Sequence, residues 1–234
     1  MTHLILASGS PRRHELLARL LTDFAILTSP VEEAGSTLMP DWYAEPIALP
    51  PPYHIPEEHD PRLWAWRKAM DVLTTNAIPA NTLILGADTV VVGPADLLGK
   101  PRDAAHARAI LQTLRGREHY VVTGFVVLRA TDGQMADTIR QGATVTRVVM
   151  ADYSDTEIDA YIATGEPMDK AGAYALQGLG GKFVEQVEGC RTNVVGLPLC
   201  AVRRALEAGG AALLAVLEGG YCGYCPIEES AASQ

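Results

Sequence analysis

The chain has 234 residues, 48% of them apolar and 20% charged, with a formal net charge of −9. This composition excludes a disordered polyelectrolyte and, with no Gly-X-Y or heptad period, a fibrous protein; the length suits one large domain or two intimate lobes. The acidic balance repels polyanions, so neither a nucleic-acid polymer nor an anionic membrane is an expected partner, and local cations must meet any phosphate ligand.

Met1 to Ala7 enters a strand with no basic leader or cleavage signal, and Ala208 to Leu217, the longest uncharged apolar stretch near the end, is too short to span a bilayer. A cytoplasmic protein is expected. Ser8-Gly9-Ser10 ends the strand, Ser10 is the natural N-cap, and Pro11 opens a helix carrying Leu16, Leu17, Leu20 and Leu21 at helical spacing. Glu32 and Glu33 follow a second strand. Between Gly35 and Pro61 lie seven of the 15 prolines, which predicts an ordered loop or flap rather than regular structure. Because this segment is tethered between Glu33 and Lys68, it is expected to border the entrance of any site those residues build.

Lys68 falls on the helix after the flap. Thr82 to Val92 is a β-branched strand with one acid, Asp88, near its far end, and Asp103 caps a helix from Ala104 to Leu114. Tyr120 to Arg129 and Thr138 to Met150 read as long strands around the Asp132-Gly133 turn signal. Ser154 with Glu157 is a capping box opening a helix to about Ala163. A glycine-rich stretch, a strand near Phe183 to Val187 and a last helix from Pro198 follow. This alternation predicts an α/β or α+β protein with a mixed sheet, and the small-residue tail from Gly219 to Gln234 is expected to be loosely held.

Three segments carry chemistry. Ser8-Gly-Ser-Pro-Arg-Arg13 puts a small-residue loop and two arginines at a helix N-terminus, where backbone N–H groups and guanidinium forks favour phosphate. Asp88, at the carboxyl end of an apolar strand, can hold a divalent cation or take a proton from water, and Lys100 in Gly99-Lys-Pro101 can neutralise phosphate. In Asp169-Lys-Ala-Gly-Ala-Tyr-Ala-Leu-Gln-Gly-Leu-Gly-Gly181 the glycines permit close backbone approach, and Gln177 offers an amide to a polar ring edge. The Cys222 to Cys225 pair is half of a zinc site, with Cys190 and Cys200 unsuitably spaced to complete it; a tail without metal is expected.

Five ordered motifs, Ser8-Gly-Ser-Pro-Arg-Arg-His-Glu-Leu-Leu17, Gly86-Ala-Asp-Thr-Val90, Gly99-Lys-Pro101, Asp169-Lys-Ala-Gly-Ala-Tyr174 with Gln177-Gly178, and Val194-Val-Gly-Leu-Pro-Leu199, resemble the Maf-like nucleoside triphosphate pyrophosphatases over roughly residues 3 to 208. The resemblance implies a homodimer of an α/β fold, a mixed elongated sheet flanked by helices, with two lobes and a deep cleft between them. It divides the chain into a 1–208 domain with a Pro-rich insertion at 35–61 and a 209–234 tail. It implies metal-assisted hydrolysis of a nucleoside triphosphate to the monophosphate and pyrophosphate, with magnesium, or alternatively manganese or cobalt, as the divalent cation. By motif, Ser8, Arg12, Arg13 and Thr89 would bind the triphosphate, and Lys68 and Lys100 would neutralise it. Glu33 and Asp88 would hold the metal and the attacking water, with Asp88 as general base, and Gln177 would meet the base.

Pro11-Arg-Arg13, Ala87-Asp-Thr89 and Ala175-Leu-Gln-Gly178 are similar to the branch acting on dTTP and UTP rather than on 7-methyl-GTP. The long flap, Cys190-Arg-Thr192 in place of a Ser-Tyr pair, and the cysteine tail depart from the family pattern. A nucleotide-binding regulator of septum formation without turnover is the alternative, against which both acids, Glu33 and Asp88, weigh, since binding alone needs only the cations.

Overall fold

The computed structural model describes residues 2–29, 40, 43 and 45–215. The apolar run His3–Ala7 forms β1, and Ser10 accepts a hydrogen bond from the Arg13 N–H to start helix α1, Pro11–Leu17. The helix is shorter than its leucine spacing predicts, although Leu20 and Leu21 beyond its end are still buried. Ala25–Leu27 is β2, the second strand foreseen before Glu32 and Glu33. Helix α2 spans Pro61–Thr75, β3 Thr82–Val92 and α3 Ala104–Leu114. Strands β4, Glu118–Thr131, and β5, Gln134–Met150, run further into their hairpin than predicted. Asp132 and Gly133 both take positive φ, 52° and 74°, the backbone twist a two-residue hairpin turn needs, so pairing continues up to them.

The capping box at Ser154 opens α4, Asp155–Ile162. The glycine-rich stretch then makes three short 3₁₀ turns before β6, Val184–Glu188, and the helices α5, Arg191–Val195, and α6, Leu199–Ala208. The six strands form one sheet in the order β2-β1-β3-β4-β5-β6. Pairing is parallel between β2, β1 and β3 and antiparallel from β3 through β6.

Alternation along the strands divides the core by face. Leu4, Leu6, Leu83, Leu85, Phe125 and Val127 pack with α1 and α6, whereas Ile5, Ile84, Val126 and Leu128 pack with Trp66, Ala69, Val72 and Leu73 of α2. Further along the same long strands, Val91, Val121 and Val148 meet α3 and α4 in a second core. β3 and β4 therefore run through both lobes. On the opposite face of this second lobe Val92, Tyr120 and Val122 are covered by Ile47, Leu49, Tyr53 and Ile55.

That last contact places the described part of the Pro-rich segment; residues 35–39, 41, 42 and 44, on the Glu33 side, lie outside the described residues, and so does that part of the expected border at the cleft entrance. The described part of the Pro-rich segment is a strap across the sheet, with the Tyr53 hydroxyl donating to the Glu118 carbonyl at 3.0 Å and its ring edge-on to Tyr120. None of its described residues lines the cleft. Apolar side chains spaced between the prolines found an uncovered sheet face and buried it. At the other end, Ala211 and Leu213 pack on the first core, and the Leu214 N–H donates to the Leu20 carbonyl at 2.7 Å, so the chain stays in contact with the domain beyond residue 208.

Candidate active site

β1 pairs with β3 only as far as Ala7 opposite Gly86, where the chain turns away into α1. Beyond that point β3 has β4 on one side and a cleft on the other. An unpaired strand edge exposes consecutive side chains from both faces, which is why Asp88 and Thr89, pointing to opposite sides of the sheet, both line the same cleft of about 840 Å³. It lies at the carboxyl ends of β1 and β3, where open α/β sheets gather ligands.

Its first wall is the α1 start. Ser8, Ser10, Arg12 and Arg13 all line it. Arg13 is only 9% exposed: its Nε donates to the Gly196 carbonyl at 2.9 Å, one terminal nitrogen to Ser8 Oγ at 3.2 Å and the other to Thr89 Oγ1 at 3.0 Å. Behind it, Thr89 and Thr123 hydroxyls share a 2.9 Å hydrogen bond, and Thr123 donates to the Asn193 carbonyl at 3.1 Å. Asn193, fully buried, donates from Nδ2 to the Val121 carbonyl and to Thr146 Oγ1 at 2.9 and 2.8 Å. A continuous polar chain thus fixes the arginine fork through both lobes.

The second wall is α2. Lys68 is 6% exposed and its Nζ lies 2.7 Å from Asp88 Oδ1. Glycine permits this meeting. A Cβ on Gly86 would sit 2.0 Å from the Ala65 carbonyl oxygen, and one on Gly124 would sit 2.3 Å from the Arg62 nitrogen, so the helix backbone rests directly on β3 and β4. Such proximity lets one turn of helix carry an ammonium to a strand carboxylate.

The third wall is the glycine-rich stretch, from which Asp169, Lys170, Tyr174 and the residues Ala175 to Gly178 face the cleft; Lys100 comes from the loop after β3. Asp169 pairs with Lys170 at 2.5 Å, and the lysine's hydrogen bond, more than the nearby Arg12 charge, holds its carboxyl below the usual range. Of the residues picked out from sequence, Ser8, Arg12, Arg13, Lys68, Asp88, Thr89, Lys100 and Gln177 line one cavity. Glu33 lies outside the described residues, as do Cys222 and Cys225. Sequence reasoning missed Thr123, Gly124, Glu166 and Asn193. Thr123 and Gly124 have no local signal inside a β-branched run, whereas Asn193 stands beside the Val194-Val-Gly-Leu-Pro stretch already singled out.

For a divalent cation, the chemistry of the donors is the test. Among the described residues no three His, Cys, Asp or Glu side chains cluster as a ready-made site. Magnesium commonly uses only one or two protein carboxylates and completes its shell with water and substrate phosphate. Asp88, at the edge of a nucleotide-sized, cation-lined cleft, fits that pattern.

An α/β cleft with cations on three walls and a strand-edge acid held by one of them has the charge to receive a polyanionic ligand. The match to the Maf-like protein model runs over residues 3–209, and the chain belongs to that family. It is 39% identical to the dTTP/UTP pyrophosphatase of Dictyoglomus thermophilum (strain ATCC 35947 / DSM 3960 / H-6-12), over 90% of this chain and 98% of that one. It is 42% identical to the dTTP/UTP pyrophosphatase of Geotalea uraniireducens (strain Rf4), over 90% and 96%, and 40% identical to that of Syntrophotalea carbinolica (strain DSM 2380 / NBRC 103641 / GraBd1), over 94% and 91%. Among the described residues no helix is long and apolar enough to cross a membrane.

Proposed function

We propose that this chain hydrolyses nucleoside triphosphates to the monophosphate and pyrophosphate, taking dTTP and UTP ahead of purine nucleotides. The observation that carries the reading is the Lys68–Asp88 pair in a cleft that also holds Arg12, Arg13, Lys100 and Gln177. The names of the relatives, dTTP/UTP pyrophosphatase, support the choice of substrate.

The triphosphate lies against the α1 start, with Ser8 and Arg12 at its oxygens and Arg13 bracing that wall through Ser8 and Thr89. Lys100 offsets phosphate charge from the opposite loop. Lys68 pairs with Asp88 Oδ1 and so orients the carboxylate that takes a proton from the attacking water. Water adds its oxygen to the α-phosphorus as the bond to the bridging oxygen breaks, and pyrophosphate leaves. A divalent cation, magnesium by its hard oxygen chemistry, would be held by Asp88, Glu33 and the phosphates and would neutralise charge on the leaving group. Positioning and charge, more than covalent catalysis, are what phosphoryl chemistry asks of a protein.

A pyrimidine exposes O2, N3 and a 4-position group, and Gln177, flanked by backbone from Leu176 and Gly178, faces the cleft to meet them. The same reading carries a homodimer working in the cytoplasm on the nucleotide pool.

The test is phosphate release with added inorganic pyrophosphatase across a nucleotide panel, with and without magnesium. dTTP and UTP are expected fastest. If 7-methyl-GTP is cleaved best, the pyrimidine assignment is wrong and the pyrophosphatase reading stands; cleavage of no triphosphate with any divalent metal leaves a nucleotide-binding regulator.

A further inference from the structure

Glu166 belongs to the glycine-rich wall of the cleft, and the chemistry above does not use it. Its carboxylate is nonetheless one of the most fully engaged acids in the site. Oε1 accepts from the Tyr161 hydroxyl at 2.9 Å and from the Gly180 N–H at 3.0 Å, and Oε2 accepts from the Leu179 N–H at 3.1 Å. Burial opposes this charge, but the two backbone N–H groups and the hydroxyl outweigh it and keep the carboxyl below the usual range. The acid itself is secured from behind, as Lys170 Nζ donates to the Glu166 carbonyl at 2.7 Å.

What those donors belong to matters more than their number. Leu179 and Gly180 directly follow Gln177 and Gly178, so the carboxylate grips the loop two residues from the amide assigned to the base. The loop has little freedom to sit elsewhere. Gly178 takes φ 92°, a Cβ there would meet Glu166 Oε2 at 2.9 Å, and a Cβ on Gly180 would meet the Tyr161 hydroxyl at 2.5 Å. Both glycines are thus required by the approach of the loop to this acid and its tyrosine. Gln177 itself is exposed, so its placement in the cleft depends on the loop backbone rather than on packing of its own side chain.

We infer that Glu166 is a specificity-positioning residue: through the Leu179 and Gly180 N–H groups it holds the Gln177–Gly178 loop at the place where a pyrimidine base is recognised. This inference rests on the pyrimidine-triphosphate reading above and assigns the acid no part in phosphate chemistry. A carboxamide at this position presents N–H donors to N–H donors on one side, which unfastens part of the loop while preserving size.

The experiment compares native protein, Glu166→Gln and Tyr161→Phe, measuring kcat and KM for dTTP and ATP and the hydrogen exchange of the segment 175–183. In Glu166→Gln, KM for dTTP is expected to rise about tenfold with a smaller change in kcat, while KM for ATP moves by less than about twofold. Exchange within 175–183 speeds up. Tyr161→Phe, which removes one donor and keeps the ring in the core, should show the same pattern at smaller amplitude. Equal losses for dTTP and ATP, or a native dTTP to ATP ratio with native exchange, would overturn the inference. Should the native chain cleave no triphosphate, the substrate reading has failed, and native-like exchange in Glu166→Gln would then sink the positioning role as well.

Discussion

Asp88 and Arg13 show how differently two charged residues in one cleft are used. Asp88 is partly open and is the proposed general base, so Asp88→Asn, which keeps an oxygen acceptor toward Lys68, is expected to lower turnover about a hundredfold or more while nucleotide binding and melting temperature stay near native. Steady-state kinetics and nucleotide titration check this, and native turnover in the variant would remove Asp88 from the chemistry. Arg13 is buried among Ser8, Thr89 and Gly196, and removing it leaves two hydroxyls and a carbonyl without their charged donor. Arg13→Ala should therefore cost about 2–4 kcal/mol of stability as well as triphosphate binding, whereas Arg12→Ala should weaken binding with little change in stability. Denaturant unfolding beside nucleotide titration separates the two. Both arginines were legible in the sequence as one pair at a helix start; which of them is built into the wall was not, because the Gly196 carbonyl that holds Arg13 is 183 residues away.

At the scale of elements, the decisive contact is α2 against β3 and β4. The helix lies so close at Gly86 that an added methyl has no room beside the Ala65 carbonyl oxygen and the Ala69 methyl, 3.2 Å off. Gly86→Ala should destabilise the protein by about 1–3 kcal/mol through overpacking and, by lifting Lys68 from Asp88, lower turnover as well. Gly99→Ala, in the neighbouring motif, has nothing within 4 Å of the new methyl and should change stability by less than about 0.5 kcal/mol. Thermal melts of both decide it. The capped helices α3 and α4 were readable because a cap is local: Asp103 accepts from the His106 N–H and Ser154 exchanges bonds with Glu157. Where the strap lies was not readable, for the opposite reason. Its prolines announce irregular backbone truthfully, but the face that Ile47, Leu49 and Tyr53 cover is built by Val92, Tyr120 and Val122, from strands that follow in the chain.

For the whole molecule, pH dependence singles out a buried histidine of β4. His119 is fully buried, with Nε2 2.8 Å from the Tyr174 hydroxyl, and burial pushes its pKa down from 6.5 to about 3. The unfolded chain takes up this proton at higher pH than the native one, so the stabilising contribution is full above pH 6.5 and is lost as pH falls toward 3. Native stability should thus decline by about 1.4 kcal/mol per pH unit on this account as pH falls below 6.5, a window above that of the carboxylates. Glu166, Asp169, Asp155 and Glu157, all held below their usual ranges, add a loss of the same sign at more acid pH. His119→Gln keeps a hydrogen-bonding group toward Tyr174 and does not titrate, so its unfolding free energy between pH 7 and 5 should be flatter than native. An equal slope would show that His119 does not carry the dependence.

The sequence by itself determined the α/β class, the capped helix starts, the loop and helix start at Ser8 to Arg13 and the identity of the strand-edge acid, because each is written within a few neighbouring residues by cap chemistry, periodicity or strand composition. Only the tertiary structure decided that β1 stops opposite Gly86 and so opens an edge where Asp88 and Thr89 share a cleft. It decided also that Lys68 reaches Asp88 over two glycines, and that Glu166 grips the loop carrying Gln177. Those outcomes depend on where one strand ends against another and on how closely two backbones approach, and no window along the chain contains both partners.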